Sequence, residues 1–198
     1  VASRSDSVVG RLRYYGGDWL DWAFRKSGQL TGIGLGALLL LFLGKIISTR
    51  FIAARLPSST PSPSFFDRIM KATWVAPLRM LPLLAATALL YFGLDALDLL
   101  FAPWDRPATA IAQGLAVFAA AAALLTTAFS PSHPQWRIFP VADATARRFV
   151  WLLLAFVAVY GIDTVLIEFG RALYVPLAFN IVQSFLSSLL FAGLLVAL

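Results

Sequence analysis

Residues 108–129 read ATAIAQGLAVFAAAAALLTTAF, and none of these side chains carries a charge. A helix of about 20 mainly apolar residues spans the roughly 30 Å hydrocarbon core of a bilayer. Four further stretches are similarly long and mainly apolar, at residues 30–47, 72–94, 149–167 and 173–198. The sequence therefore predicts an all-α membrane protein. We expect about five transmembrane helices, arranged as hairpins with amphipathic cytoplasmic connectors.

The composition supports this class and excludes others. Of 198 residues, 60% are hydrophobic and only 13% are charged, whereas soluble domains have about 25% charged residues. The absence of cysteine excludes disulfides and cysteine metal sites. A net charge of +6 would favour nucleic acid in a soluble protein. Because the basic residues flank the spans here, membrane lipids are the expected partners, with no nucleic acid.

The basic residues predict the topology. The loops after the first and third spans are basic, carrying Lys45, Arg50, Arg55, Arg68, Lys71, Arg137, Arg147 and Arg148. Basic loops favour the cytoplasm, so the N-terminus is expected outside. Five basic residues before the first span oppose this orientation, namely Arg4, Arg11, Arg13, Arg25 and Lys26. A large exported domain before Val1 would remove the conflict, because long domains translocate largely regardless of charge.

Both ends of the sequence indicate an internal piece of a longer protein. The first residue is Val1 rather than Met, and the last span reaches Leu198 without a polar flank. Membrane helices normally end in interfacial or charged residues. We therefore expect residues 28–198 to be a membrane region truncated at its C-terminal end.

Residues 1–27 are expected to lie outside the bilayer core. Residues 1–10 read as a polar linker. Residues 11–26 place Trp19, Trp22 and other aromatics among charges, which is typical of an interfacial, helical segment. Ligand binding by these aromatics is the less favoured alternative, because no polar cluster accompanies them.

Glycines recur at multiples of four residues in the first span, at Gly28, Gly32, Gly36 and Gly44. Small residues at this spacing line one helix face and allow another helix to approach closely. The stretch does not fit the G-x-G-x-x-G spacing of a nucleotide site, and no strand precedes it. The pattern predicts helix packing.

The second span has a marked start. Ser64 and Asp67 have the spacing of a capping box. Up to Lys71, apolar side chains share one face while Arg68 and Lys71 lie near the other. This pattern predicts an amphipathic lead-in on the cytoplasmic surface.

Two prolines inside the second span, Pro77 and Pro82, predict a kink or a break. Arg79 lies between them. Snorkelling of Arg79 to the cytoplasmic headgroups is the favoured interpretation. A buried charge with a functional partner is the alternative.

The third loop predicts a second interfacial region, with an interfacial Trp136 and basic Arg137. Asp143 is expected to open a short amphipathic helix with Arg147 and Arg148. The single histidine, His133, has no neighbouring acidic cluster and is a poor metal or acid–base candidate. The Ala-rich third span could line a pore, but tight packing is favoured because few polar residues accompany the alanines.

Polar residues recur on one stripe of the fifth span. They are Asn180, Gln183, Ser184, Ser187 and Ser188. Interhelical contact is the favoured role, and a wetted pathway is the alternative. Asp163 is expected near the outer end of the fourth span, with Arg171 as a possible partner.

Catalytic signatures are missing from the sequence. It contains no H-E-x-x-H, no P-loop, no G-x-S-x-G and no paired intramembrane carboxylates. This argues against an enzyme and against a bound cofactor or metal.

Two patterns carry a family resemblance: PQWRIFPV at residues 134–141 with ARR at 146–148, and FFDR at 65–68. The sequence resembles the extra N-terminal membrane region of large MscS-type mechanosensitive channels over most of residues 28–198. The resemblance implies a peripheral helical paddle around a homo-oligomeric, typically heptameric pore in a bacterial inner membrane. It also implies a pore helix and a cytoplasmic β-domain after Leu198, and an exported N-terminal domain.

The expected function is therefore tension sensing within an MscS-like channel that releases ions on osmotic downshock. Anchored helices would tilt as the bilayer thins, and Pro77 and Pro82 would convert the tilt into a push on the pore. A small solute transporter, with residues 180–188 lining a path, is the second hypothesis. A structural membrane scaffold is the third.

Overall fold

Six α-helices make up almost all of the computed structural model, which describes residues 2–55, 63–130, 134–139 and 141–198. They are α1 (Ala2–Arg25), α2 (Ser27–Arg55), α3 (Phe65–Ala96), α4 (Asp105–Phe129), α5 (Asp143–Ala172) and α6 (Leu177–Ala197). A single 3₁₀ turn, Pro134–Trp136, lies between α4 and α5. No strand occurs in the described ranges, and α2 to α6 are each long and apolar enough to cross a membrane. The predicted all-α membrane fold is confirmed.

Consecutive helices pack side by side, from α2 against α3 through to α5 against α6. Short connections between long helices favour antiparallel neighbours, so the chain forms a row of helical hairpins. Large apolar side chains point away from the bundle along α2 and α6, and Phe42 and Val196 are 69% and 90% exposed. Such faces are stable only against lipid or another apolar surface, because each would cost free energy in water.

Helix α1 differs from the predicted linker. Residues 2–10 are helical, which fits a stretch that has no proline and a single glycine at its end. The helix lies against the loops at one end of the bundle. Trp19 Nε1 donates to the Leu99 carbonyl at 3.2 Å, and Arg11 Nη2 donates to the Tyr174 carbonyl at 3.2 Å. Trp19 and Arg11, which the sequence places in an interfacial segment, therefore also bind the loop between α3 and α4 and the loop between α5 and α6.

Helix α3 begins where its sequence predicts. Ser64 is the N-cap, its Oγ accepts from Asp67 N, and the Asp67 carboxylate accepts from Ser64 N at 3.0 Å. The helix then continues without interruption to Ala96. The lead-in is therefore the first two turns of the span rather than a separate surface helix. The loop at residues 57–62 and His133 lie outside the described residues.

The prolines in α3 do not break it. Pro77 and Pro82 both lie inside the continuous helix, so the chain is not broken there, and a kink at these prolines stays a prediction. Each proline still removes one backbone N–H from the helical ladder. The membrane-spanning helix tolerates this because its neighbours pack against the weakened turns.

Glycine contacts set the helix spacing, although not along the whole predicted stripe. A Cβ added at Gly36 would lie 3.2 Å from Leu89 Cδ2, and one at Gly44 would lie 3.1 Å from Pro82 Cβ. At Gly28 and Gly32 it would meet no atom within 4 Å. The packing prediction therefore fails for Gly28 and Gly32 within this chain, because a four-residue spacing drifts around a helix of 3.6 residues per turn and leaves these two glycines off the face that contacts α3.

Two close approaches between helices were not predicted. A Cβ at Gly93 would lie 2.8 Å from Ile33 Cγ2, and a Cβ at Gly114 would lie 3.7 Å from the Gly161 Cα. The backbones of α4 and α5 thus meet at paired glycines. These glycines are isolated in sequence, so no spacing pattern marks them.

Candidate functional site

A cavity of about 630 Å³ opens between α2, α3 and α4. The α2 side is lined at positions 41, 45, 48, 49 and 52, and the α4 side at positions 119, 122, 123 and 126. Both sets follow the three- and four-residue spacing of a single helix face. The α4 residues are three alanines and a threonine, so short side chains leave the space open. The Ala-rich helix creates room between helices here.

Three cationic side chains line this cavity: Lys45 from α2, and Lys71 and Arg79 from α3. Lys45 and Arg79 are exposed, whereas Lys71 is only 6% exposed. Lys71 and Arg79 are eight residues apart, about 12 Å along the helix. Among the residues that the structure describes, no acidic side chain lines the cavity. Arg79 is exposed, so the alternative of a buried charge is not supported, and snorkelling to the headgroups stays a prediction. The same side chain also lines the cavity.

Hydroxyl groups complete the polar lining. Ser48, Thr49, Thr126 and Ser130 all contribute to the wall. All four hydroxyls donate to nearby backbone carbonyls: Ser48 and Thr49 to Lys45, Thr126 to Ala122, and Ser130 to Thr127. Their oxygens retain lone pairs, and their protons can be redirected to a bound anion.

Lys71 is held in place by an aromatic ring. Its Nζ lies 4.6 Å from the centroid of Trp136, within the range of a cation–π contact. Trp136 itself is only 9% exposed. The prediction that Lys71 and Trp136 face the lipid interface is therefore wrong, because each covers the other.

Arg137 fixes the loop that delivers Trp136. The guanidinium is 4% exposed, and it donates from Nε to the Phe129 carbonyl at 2.9 Å and from Nη1 to the Val141 carbonyl at 2.6 Å. Its Nη2 lies 2.5 Å from Asp143 Oδ1. The sequence predicts that Arg137 lies in the lipid interface, and this prediction is wrong. Its guanidinium is buried, and its N–H groups are directed at the Phe129 and Val141 carbonyls and at the Asp143 carboxylate.

Arg68 and Asp143 both contact Arg137, and we call these three residues the Arg137 brace. Arg68 Nη1 donates to the Arg137 carbonyl at 3.0 Å, which joins the start of α3 to the loop before α5. Helix α5 begins at Asp143 as predicted, but it continues to Ala172 as a membrane span instead of forming a short amphipathic helix. Its N-cap, Ala142, makes no side-chain cap. The Asp143 carboxylate is directed at Arg137 instead.

An apolar groove of about 570 Å³ runs along α2 beside the cavity. Leu35, Leu38, Leu39 and Phe42 line it, and Leu41 and Lys45 border both the groove and the cavity. A polar, cationic space thus adjoins an apolar one on the same helix. An amphipathic anion with a phosphate group and an alkyl chain fits this pair of surfaces.

Comparison of the chain with family models, curated proteins and solved structures gives no significant match.

The cavity can bind an anion by ordinary electrostatics. Three cations without a neighbouring carboxylate repel one another, and a phosphate relieves that repulsion while accepting several hydrogen bonds. Basic pockets between membrane helices near a bilayer surface are suited to acidic lipid headgroups. Lys45 and Arg79 are open to such a headgroup from the membrane side.

The remaining predicted interface residues lie in different settings. Trp22 is 44% exposed, and its ring lies 4.7 Å from Arg25 Cζ. Arg147 is exposed. Arg148 is exposed too, and its Nη2 donates to the Ala197 carbonyl at 2.6 Å, linking the start of α5 to the end of α6.

The predicted polar stripe of α6 divides into two sides. Gln183 is 7% exposed, and its Nε2 donates to Asp163 Oδ1 and to the Asp163 carbonyl, each at 3.2 Å. Ser187 also donates to Asp163 Oδ1, and Asn180 faces Gly170. Ser184 and Ser188 are exposed, so the packing prediction is wrong for Ser184, which lies beyond the edge of the contact face.

The predicted pairing of Arg171 with Asp163 is wrong. Arg171 binds Glu168 at 2.6 Å, one helical turn away. Asp163 precedes the end of α5 by nine residues, which is about 13 Å of helix. The carboxylate therefore lies inside the span, with polar partners from α6.

Proposed function

We propose that this chain is the tension-sensing membrane region of an MscS-like mechanosensitive channel, which releases ions on osmotic downshock. The observation that carries the proposal is the union of the basic cavity with the apolar groove on α2. A single acidic phospholipid would place its phosphate among Lys45, Lys71 and Arg79 and its acyl chain along Leu38 and Phe42.

A lipid held in this way couples the helices to the bilayer. Membrane tension acts through the lipids, and thinning changes the match between hydrophobic helix length and bilayer thickness. The bound headgroup would transmit that change to α2 and α3 together. Pro77 and Pro82 lack the backbone donors that stiffen a helix, so α3 would bend or tilt at these turns and push on the pore.

The exposed apolar faces support a place at the periphery of a larger assembly. Leu177, Phe185 and Val196 of α6 are 74%, 67% and 90% exposed. In a homo-oligomer, heptameric by the resemblance, one such face would contact lipid and another the helices that surround the pore. A bacterial inner membrane and a periplasmic N-terminus belong to the same proposal.

Patch-clamp recording tests the proposal directly. The protein that contains this chain is reconstituted in liposomes and subjected to stepped suction. Tension-activated currents of little ion selectivity are expected, and their threshold should shift when Lys45, Lys71 and Arg79 are all changed to Gln. Silent membranes at the lytic tension would refute the channel assignment. The intact mass of the purified protein is the first control, because a channel of this family needs a mass well above 21.5 kDa.

A small solute transporter is the second candidate, favoured by the intramembrane Asp163 with Gln183 and Ser187. Ionisable residues inside a span often mark substrate or ion pathways. Stabilisation of the protein by a specific solute, lost when Asn180 and Gln183 become Leu, would support it. A chain with neither currents nor a solute response would leave the structural scaffold.

A further inference from the structure

Asp163 carries a carboxylate inside a membrane span without a basic partner in the described residues, since no Lys or Arg nitrogen lies within 4 Å of it. Its side chain is half-buried between α5 and α6. A charged group at this depth is costly unless another charge or several dipoles compensate it. Its partners, Gln183 and Ser187, are neutral donors.

Gln183 supplies the second observation. It is more than nine-tenths buried, and its Oε1 has no hydrogen-bond partner in the described part of the chain. A buried acceptor without a donor is destabilising, because it has lost its hydrogen bonds to water. The amide already contacts Asp163 through Nε2, so this orphan oxygen lies on the group that faces the carboxylate.

We propose that Asp163, Gln183 and Ser187 form a binding site for one monovalent cation, with sodium as the expected occupant. A half-turn of the Gln183 amide exchanges Nε2 and Oε1, which have nearly the same shape. The amide oxygen then joins the Asp163 carboxylate, the Asp163 carbonyl and the Ser187 hydroxyl around one point. Oxygen donors of this kind suit a hard cation.

The charge of the site selects the class of ion. One carboxylate and one monovalent cation give a neutral site, whereas a divalent ion would leave an uncompensated positive charge between apolar helices. Magnesium also keeps most of its water and is bound mainly where water is accessible. A single carboxylate between packed helices is poorly suited to it.

A second buried oxygen lies on the loop side of this site. Asn180 Oδ1 also lacks a partner in the described residues and lies 3.2 Å from the position of a Cβ on Gly170. Asn180 precedes Gln183 by about one turn of α6, toward the loop between α5 and α6. A cation entering from that loop would pass Asn180 before it reaches Asp163. Cation binding would then hold α6 against α5. It would do so independently of any lipid in the basic cavity between α2, α3 and α4.

The experiment is a thermal-unfolding titration of the purified protein in a neutral detergent, in which choline chloride is replaced by sodium chloride at constant ionic strength. The Tm should rise by a few degrees and saturate, because a ligand that binds only the folded state stabilises it. Asp163→Asn should abolish the rise, and Gln183→Leu should weaken sodium binding about tenfold. Glu168→Gln, which removes another acid of α5, should leave the titration unchanged.

Binding of radiolabelled sodium to the wild-type protein provides a measurement that does not depend on any variant. Saturable binding, displaced by lithium or potassium but not by choline, is expected. A wild-type Tm that is equal in sodium and choline, with no bound label, would overturn the site and leave a purely structural polar contact. A sodium response retained in Asp163→Asn, or stabilisation by magnesium alone, would overturn it as well. If Asp163→Asn fails to fold, Ser187→Ala and the wild-type binding data decide.

Discussion

The ring of Pro82 on α3 lies directly against the backbone of Gly44 on α2. A Cβ on Gly44 would stand 3.1 Å from the Pro82 Cβ and 3.3 Å from its Cγ. Pro82 also lines the basic cavity, and Lys45, the residue after Gly44, contributes one of its cations. This contact therefore sets the distance between α2 and α3, and with it the width of the cavity.

Gly44→Leu should destabilise the protein by about 1–3 kcal/mol, because the added side chain overpacks the contact with Pro82. Gly28→Leu is the matched control on the same helix, since a Cβ at Gly28 meets no atom within 4 Å. It should be neutral or slightly stabilising, because leucine is the better helix former. The measurement is thermal or denaturant unfolding in detergent.

A double-mutant cycle identifies the partner of Gly44. If Pro82 is what the new side chain meets, Pro82→Ala should recover part of the loss caused by Gly44→Leu. The coupling free energy should then be roughly 0.5–3 kcal/mol. Strictly additive effects would contradict a direct contact between the two residues.

Arg137→Gln should lower the stability by about 1–3 kcal/mol, because it leaves the Phe129 and Val141 carbonyls and the Asp143 carboxylate without their buried donor. Arg137→Lys should recover little, since an ammonium cannot reproduce the fork of guanidinium donors. Trp136 would lose its position over Lys71 and become more exposed to solvent. The tryptophan emission maximum should therefore move to longer wavelength, in addition to the fall in Tm. Arg147→Gln, a substitution of an exposed residue nearby, is the control and should change neither the Tm nor the emission maximum. If Arg137→Gln and Arg147→Gln have equal effects, Arg137 does not hold this loop in place.

These residues show what the sequence could and could not predict. The five spans follow from composition and length, and the capping box at Ser64 and Asp67 fixes a helix start by local chemistry. Arg137 was expected in the interface because an aromatic–basic run has the same composition there as in a buried brace. Its partners are mainly backbone carbonyls, which every sequence supplies and no pattern marks.

The two sites depend on helix register, which local patterns do not determine. The charge pattern assigns Lys45 to the basic segment after the first span, yet α2 continues to Arg55 and carries Lys45 into the cavity wall. Asp163 was matched with Arg171 by nearness in sequence. Its actual partners, Gln183 and Ser187, meet it only because α6 folds back along α5.

Replacing Pro77 and Pro82 by Ala together should raise the tension threshold of the channel, because restored backbone hydrogen bonds stiffen α3. Pressure-clamp recording of liposomes containing the full protein measures this threshold. A substitution at Met70, an exposed residue at the start of the same helix, serves as control: Met70→Leu should not alter the threshold. An unchanged threshold in the double-alanine variant would remove the proline lever from the mechanism.

Acidic lipid should stabilise the wild-type protein more than zwitterionic lipid does. Adding phosphatidylglycerol to the detergent-solubilised protein should raise the Tm by several degrees, whereas phosphatidylcholine should do so less, because three cations favour a headgroup with net negative charge. Changing Lys45, Lys71 and Arg79 together to Gln should remove this difference. Arg50, Arg55 and Arg147 are exposed and lie outside the cavity wall, so changing these three together to Gln is the charge-matched control and should keep most of this difference.

Inorganic phosphate separates headgroup binding from lipid binding in the same assay. The groove beside Lys45 should add the free energy of burying an acyl chain to that of binding the phosphate, about 0.8 kcal/mol for each buried CH₂. Phosphate alone should therefore stabilise the protein far less than phosphatidylglycerol at equal concentration. Equal stabilisation would assign the cavity to a soluble anion and would detach it from the membrane-coupling mechanism. Replacing Leu38 by Asn should weaken the effect of the lipid and leave that of phosphate intact, since Leu38 lines only the groove.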